Sequence, residues 1–184
     1  TSNNHLYIDW NPSIAQDVSA YIIFKFLNSS WNPIDTVYGY ENTTYTDSNL
    51  ISFQNNVVQY AIAAMDSCSF GVPPQNNTSS AGLEHQNILL SKQFNACSGE
   101  VNLNWNPYIN FEGGLRYYEI FYKNEITPWT LLDTTQEIEY TYFITQGDLN
   151  YSFMINVVFD SSSINSFSNV LAFYADQPPI PQYS

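Results

Sequence analysis

The chain has 184 residues, a formal charge of −13 and 17% aromatic but only 11% charged side chains, with Lys25, Lys92, Arg116 and Lys123 as its cations. Phosphate binding needs clustered Lys and Arg, so this balance argues against nucleic acid as a partner and against docking on anionic lipid. The longest apolar runs, Tyr21-Ile22-Ile23-Phe24 and Val57 to Met65, fall far short of a bilayer span.

In chain order, residues 1–4 are polar, and His5 to Trp10 alternates apolar with polar residues before Asn11-Pro12 stops it. Alternation of period two predicts a strand with one face buried, and proline cannot donate to a ladder. Val18 to Phe26 is the next predicted strand, with Tyr21, Ile23 and Lys25 at alternate positions; Asn28-Ser29-Ser30 is turn material. Strands follow at Trp31 to Val37, at Thr43 to Asp47 and at Val57 to Met65, the last placing Tyr60, Ile62 and Ala64 on one face. Asp66 to Gly82 turns rich in Ser, Pro, Asn and Gly and reads as a long loop. Glu84 to Leu90 regains strand character and is expected to close the first unit, with Ser91 to Ala96 as the passage onward.

The same order then recurs. Asn102-Leu103-Asn104-Trp105-Asn106-Pro107 echoes Tyr7-Ile8-Asp9-Trp10-Asn11-Pro12, Trp129 echoes Trp31, Asp133-Thr134 echoes Asp35-Thr36, and Tyr140 echoes Tyr45. Predicted strands lie at Val101 to Trp105, Arg116 to Tyr122, Trp129 to Leu132, Ile138 to Ile144, Tyr151 to Phe159 and Asn169 to Tyr174. Ser161 to Ser166 matches the earlier loop, and Gln177-Pro178-Pro179-Ile180-Pro181 reads as an extended linker with more chain beyond. Landmarks in one order at nearly constant spacing mark a duplication. About seven short strands per copy, without a helical period, predict an all-β chain of two tandem immunoglobulin-like sandwiches. The expected units are 1–92 and 93–176, followed by a Pro-rich linker at 177–184.

The early-strand Trp, the Tyr of the next strand and the Tyr opening a late apolar strand resemble fibronectin type III modules. That resemblance makes Trp10, Tyr21, Tyr60, Trp105, Tyr118 and Tyr151 core residues, with Trp10 and Trp105 on strand B and Tyr21 and Tyr118 on strand C. On strand F, Tyr60 or Val58 is the counterpart of Tyr151. A narrower resemblance rests on Tyr60 to Cys68, His85-Gln86-Asn87-Ile88 and Cys97 in the first copy, and on Tyr108, Phe111, Gly113-Gly114 and Tyr118-Glu119-Ile120 in the second. These are similar to the tandem modules of large secreted Bacteroidota proteins, which often end in a gliding-motility-associated sorting domain and leave through type IX secretion. Ser69-Phe70 stands where that family usually has Gly-Asn. The resemblance implies a secreted or cell-surface setting, with other domains of the same long chain, the secretion or outer-membrane surface machinery, or glycans as partners.

An exported chain with two cysteines is expected to form a Cys68–Cys97 disulfide, worth about 3–4 kcal/mol for a loop of about 30 residues. Asp35-Thr36 and Asp133-Thr134 resemble the O-glycosylation acceptor of exported Bacteroidota proteins, which makes Thr36 and Thr134 candidate acceptors. His5 and His85 have no ligand-like spacing to the cysteines, and Asp47, Asp66 and Asp148 form no dense Asp-x-Asp pattern, so no metal and no cofactor are expected. An Asp9–Asp47 carboxylate pair carries almost no weight among 17 acidic residues. No phosphate loop or nucleophile elbow appears. The resulting expectation is a non-catalytic structural or adhesion segment that spaces or presents neighbouring domains. The alternative is a carbohydrate-binding accessory module using Trp31, Trp129 or Tyr38 as a stacking platform.

Overall fold

A computed structural model describes residues 5–48, 56–70, 75–110, 114–160 and 165–176, and its regular elements are strands throughout. The chain divides into two compact units, 1–86 and 87–184. The expected linker at 177–184 and the resemblance at Phe111 and Gly113 lie outside the described residues.

In the first unit, the alternating segments β1 (Leu6–Asp9) and β4 (Thr44–Asp47) pair antiparallel, with Ile8 opposite Tyr45. The longer apolar segments β2 (Val18–Leu27), β3 (Ser30–Tyr38) and β5 (Gln59–Phe70) form a second sheet in the order β3-β2-β5. Two short strands, β6 (Gln75–Thr78) and β7 (His85–Gln86), continue along the far side of β5. Ile23 and Tyr60 of the larger sheet, with Val58 just before β5, pack with Leu6, Ile8, Trp10 and Tyr45, so the core lies between the sheets.

The second unit repeats this plan and adds a strand. β8 (Leu90–Asn95) joins β9 (Glu100–Trp105) and β12 (Glu139–Phe143) in the order β12-β9-β8. Opposite them β10 (Leu115–Lys123), β11 (Thr130–Thr135) and β13 (Leu149–Phe159) stand as β11-β10-β13, with β14 (Ser166–Phe167) and β15 (Leu171–Ala175) along β13. Tyr118, Ile120, Tyr151, Phe153, Leu103 and Val101 are fully buried between the sheets. Each such side chain contributes about 1.5–3 kcal/mol on leaving water. The chain is therefore all-β, two immunoglobulin-like β-sandwiches in tandem.

Equivalence between the units extends to single atoms. The Trp10 and Tyr21 rings meet edge to face at 5.4 Å and 68°, and Trp105 and Tyr118 do so at 5.4 Å and 71°. The Tyr21 and Tyr118 hydroxyls accept backbone N–H bonds from Ser13 (3.1 Å) and Tyr108 (3.2 Å) in the following loops. Trp10 N–H reaches Thr43 O and Trp105 N–H reaches Ile138 O, both at 3.0 Å. Tyr21, Tyr60, Trp105, Tyr118 and Tyr151 are buried, whereas Trp10 is half-buried.

Several expectations are corrected. Ile23 faces Ile62 and Ile120 faces Ile155, so Tyr60 corresponds to Phe153, and Val58 is the counterpart of Tyr151. Leu90 to Asn95, which straddles the expected 92/93 boundary, pairs along its whole length with β9, so the border falls at 86/87. Leu90, Lys92 and Phe94 point one way, and the Lys92 ammonium lies over the Phe173 ring at 4.3 Å, an inward use of lysine that polarity alone conceals. Strand character near Glu84 shrinks to His85–Gln86. Part of the expected loop at 66–82 is strand: β5 runs on to Phe70, and β6 pairs with it. Between β6 and β7, and between β14 and β15, a serine hydroxyl stands in for the ladder's carbonyl acceptor. Ser79 Oγ accepts the Ala64 N–H (3.0 Å), and buried Ser168 Oγ accepts that of Ile155 (2.9 Å).

Candidate functional site

The largest departure from the duplication is in the first core. On β2, alternation turns Tyr21, Ile23 and Lys25 inward, and Lys25 is only 3% exposed. Asp47, at the end of β4 in the facing sheet, is 5% exposed. Lys25 Nζ donates to Asp47 Oδ2 at 2.6 Å, and Tyr60 Oη donates to the same oxygen at 2.6 Å. The ammonium also lies 5.3 Å from the centre of the Tyr60 ring. Burial, followed by the hydrogen bond and charge of Asp47, pushes the Tyr60 phenol far up, so it remains a proton donor. In the second unit the same three positions are Tyr122, Tyr142 and Phe153, which pack ring on ring at 5.6 and 5.5 Å. One fold thus accommodates either a charged triad or an aromatic cluster in this place. A buried ion pair generally gains little over such a cluster, because desolvation cancels most of its attraction.

A second repeated feature is the hairpin of β2 with β3 and of β10 with β11. Both ladders skip one residue, Ile34 between Pro33 and Asp35 and Leu132 between Leu131 and Asp133. The bulge brings Asp35 opposite Ile23 and Asp133 opposite Ile120. Each carboxylate accepts the next backbone N–H at 2.7 Å, from Thr36 and Thr134. Thr36 is half-buried and Thr134 exposed, at matching points of the two edges. Asp133 also accepts the Tyr140 hydroxyl; burial first and then this carboxylate raise that phenol. These contacts give Asp a backbone role in both Asp-Thr pairs. At the hairpin tips, Trp31 (40% exposed) meets Phe26 edge to face at 5.3 Å, and Trp129 (38% exposed) lies under the Lys123 ammonium at 5.1 Å. Tyr38 is exposed farther along β3.

The expected staple is not formed: Cys68 and Cys97 are both free, exposed thiols, one in each unit. The backbone N–H of each bonds a side chain two residues back: Cys68, on β5, bonds Asp66 at 3.1 Å, and Cys97, in the β8–β9 turn, bonds Asn95 at 3.0 Å. Asp17, Asp66 and Cys68 offer atoms within 4.8 Å of one another, but the Asp66 carboxylate already accepts the Cys68 N–H and the Asn77 backbone and amide N–H groups. Asp9 is exposed opposite Thr44, while Asp47 is taken by Lys25, so the two carboxylates do not form a pair. His85 stands opposite Tyr60 on the β5 edge, half-buried, and burial lowers its pKa.

No protein-family model matches the chain, and no curated protein matches it. Among solved structures it is similar to the FN1-FN3 domains of chicken CNTN1, at 15% identity and a TM-score of 0.40, covering 95% of this chain and 61% of that one. It is also similar to the chicken interferon gamma receptor alpha chain, at 11% identity and a TM-score of 0.41, covering 95% and 93%. At 61%, the chain falls short of two thirds of the CNTN1 fragment's length. The fold assignment rests on strand order and register within each unit.

The triad was not legible as a site, because a lysine at an alternate strand position looks the same whether it snorkels or is swallowed. The available signal was Lys25 in phase with Tyr21 and Ile23, with Asp47 in phase with Tyr45.

Proposed function

We propose that this chain is a non-catalytic spacer and adhesion segment of a large exported cell-surface protein, holding neighbouring domains away from the cell. The observation that carries this reading is atom-level repetition of one β-sandwich frame: the Trp–Tyr contact, the tyrosine-to-loop hydrogen bond and the edge bulge all occur twice. Repeating a rigid module adds length without adding a new reaction, which is how arrayed modules serve as spacers. An acidic surface with few lysines opposes self-association in such arrays. Passage through type IX secretion, a Bacteroidota source and glycosylation at Thr36 and Thr134 belong to this proposal and rest on the sequence resemblance.

The alternative, a carbohydrate-binding accessory module, is favoured by one observation: Trp31 and Trp129 are partly exposed at equivalent hairpin tips. An aromatic face there suits stacking on a sugar ring. Affinity electrophoresis against a polysaccharide panel separates the two. The spacer reading expects no saturable binding, together with two discrete unfolding events when the chain is pulled from its ends. Saturable retention lost in Trp31→Ala or Trp129→Ala would replace it with the carbohydrate-binding reading. Surface proteolysis of the intact native host tests the cellular setting.

A further inference from the structure

The contact between Lys25 and Asp47 has the geometry of a reaction as well as of an ion pair. An amine and a carboxyl group face each other across the sandwich at 2.6 Å, on β2 and β4 of opposite sheets, with side chains only 4% and 7% exposed. Reacting groups fixed at contact distance, with bulk water excluded, bypass the entropic cost of bringing them together. The third partner is at hand, since the Tyr60 hydroxyl touches the same carboxylate oxygen at 2.6 Å. The second unit shows that this space fills equally well with Tyr122, Tyr142 and Phe153, so packing alone does not require a lysine and an aspartate here.

We propose that Lys25 and Asp47 condense after folding into an intramolecular amide cross-link that joins the two sheets of the first unit, with Tyr60 relaying protons. A proton first passes from Nζ to Oδ2 along their contact, giving the free amine and the carboxylic acid. The Nζ lone pair then forms the N–C bond at Asp47 Cγ, and the carbonyl electrons move onto Oδ1. As Oδ1 re-forms its double bond, the C–Oδ2 bond breaks. Oδ2 departs as water, taking its second proton from the Tyr60 hydroxyl, which recovers one from the new amide nitrogen. Ammonium plus carboxylate become one amide and one water, with no oxidant, metal or activating group consumed. Tyr60 acts as a catalytic residue here because it touches the leaving oxygen. The inference goes beyond the spacer reading and does not rest on it.

The test is the intact mass of the folded, purified full chain under reducing conditions, which removes any contribution from the cysteines. The expected mass is one water below the sequence mass, with peptide fragmentation giving a branched species that joins the Lys25 and Asp47 peptides. Lys25→Arg and Asp47→Ala should each restore the full mass of their own sequences. Tyr60→Phe, which keeps the ring, should accumulate the linked form more slowly after refolding. A folded wild-type chain at full mass overturns the proposal, as does a water loss that fragmentation places at a cyclised Asp. A Tyr60→Phe chain that links as fast as the parent overturns the proton relay.

Discussion

Tyr151 and Tyr142 show how a single hydroxyl sets local behaviour in the second unit. Tyr151 opens the buried part of β13, and its hydroxyl reaches back to Gln146 O at 2.8 Å, the tyrosine corner of such sandwiches. Tyr151→Phe keeps the ring and removes that bond, and should cost about 0.5–1.5 kcal/mol in urea unfolding. The first unit has Val58 at this place, a side chain with no hydroxyl to make such a bond. Tyr142 responds to pH instead. Burial, then its neighbours Tyr122, Tyr151 and Tyr140, push its phenol from 10.0 to about 12. A folded-state pKa above the unfolded one means the neutral phenol stabilises the fold. That contribution is complete below pH 10.0 and is lost as pH rises through about 12. Thermal melts should show stability falling across this alkaline window in step with tyrosinate absorbance. Tyr142→Phe should flatten the fall, and an unchanged profile would remove Tyr142 as its source.

At the scale of elements, turns and bulges decide what the alternation of side chains leaves open. The hairpin between β8 and β9 closes through Gly99 at φ +68, where an added Cβ would lie 2.9 Å from Ile144 O. Gly99→Ala therefore meets both left-handed strain and a backbone oxygen, and should destabilise by about 1–2 kcal/mol or more. Denaturant titration of that variant checks it; a loss near zero would mean that the turn readily adopts another path. The strands themselves were legible wherever apolar and polar residues alternate, as in Leu6–Asp9 and Glu100–Trp105. What escaped was structure held by side chains that look like loop or surface residues. Ser79 stands in for a ladder acceptor within the stretch that composition reads as loop, and Ser168 does so just past the matching loop at 161–166. The bulges at Ile34 and Leu132 each shift the pairing by one residue, and strands of 9 and 6 residues are too short for that change of phase to stand out in sequence. The triad failed for the opposite reason, since Lys25 and Asp47 sit in phase with the core but are residue types rarely found fully buried.

For the molecule as a whole, the decisive question is where one sandwich ends and the next begins. The Trp-Asn-Pro echo located both core tryptophans, but in the second unit its asparagine has a job that sequence did not disclose. Asn106 accepts the Leu89 N–H at 2.8 Å and donates to Asn87 O at 3.0 Å, binding the residues just before β8 to the end of β9. Asn169 does the same from between β14 and β15, accepting the Leu90 N–H at 2.7 Å and donating to Leu90 O at 3.1 Å. Ile88 and Leu90, 1% and 2% exposed, complete the core these asparagines frame. All of these contacts lie within residues 87–176, so that fragment should fold alone and give a dispersed amide NMR spectrum. Starting instead at residue 93 removes Ile88 and Leu90, and leaves Asn106 and Asn169 without the strand they hold. Losing one such buried aliphatic side chain alone costs about 2–5 kcal/mol, comparable to much of the net stability of a small domain. The 93–176 fragment should therefore be largely unfolded at room temperature while 87–176 melts cooperatively. Equal stability of the two fragments would place the first strand of the second sandwich outside its folding unit and return the boundary to 92/93.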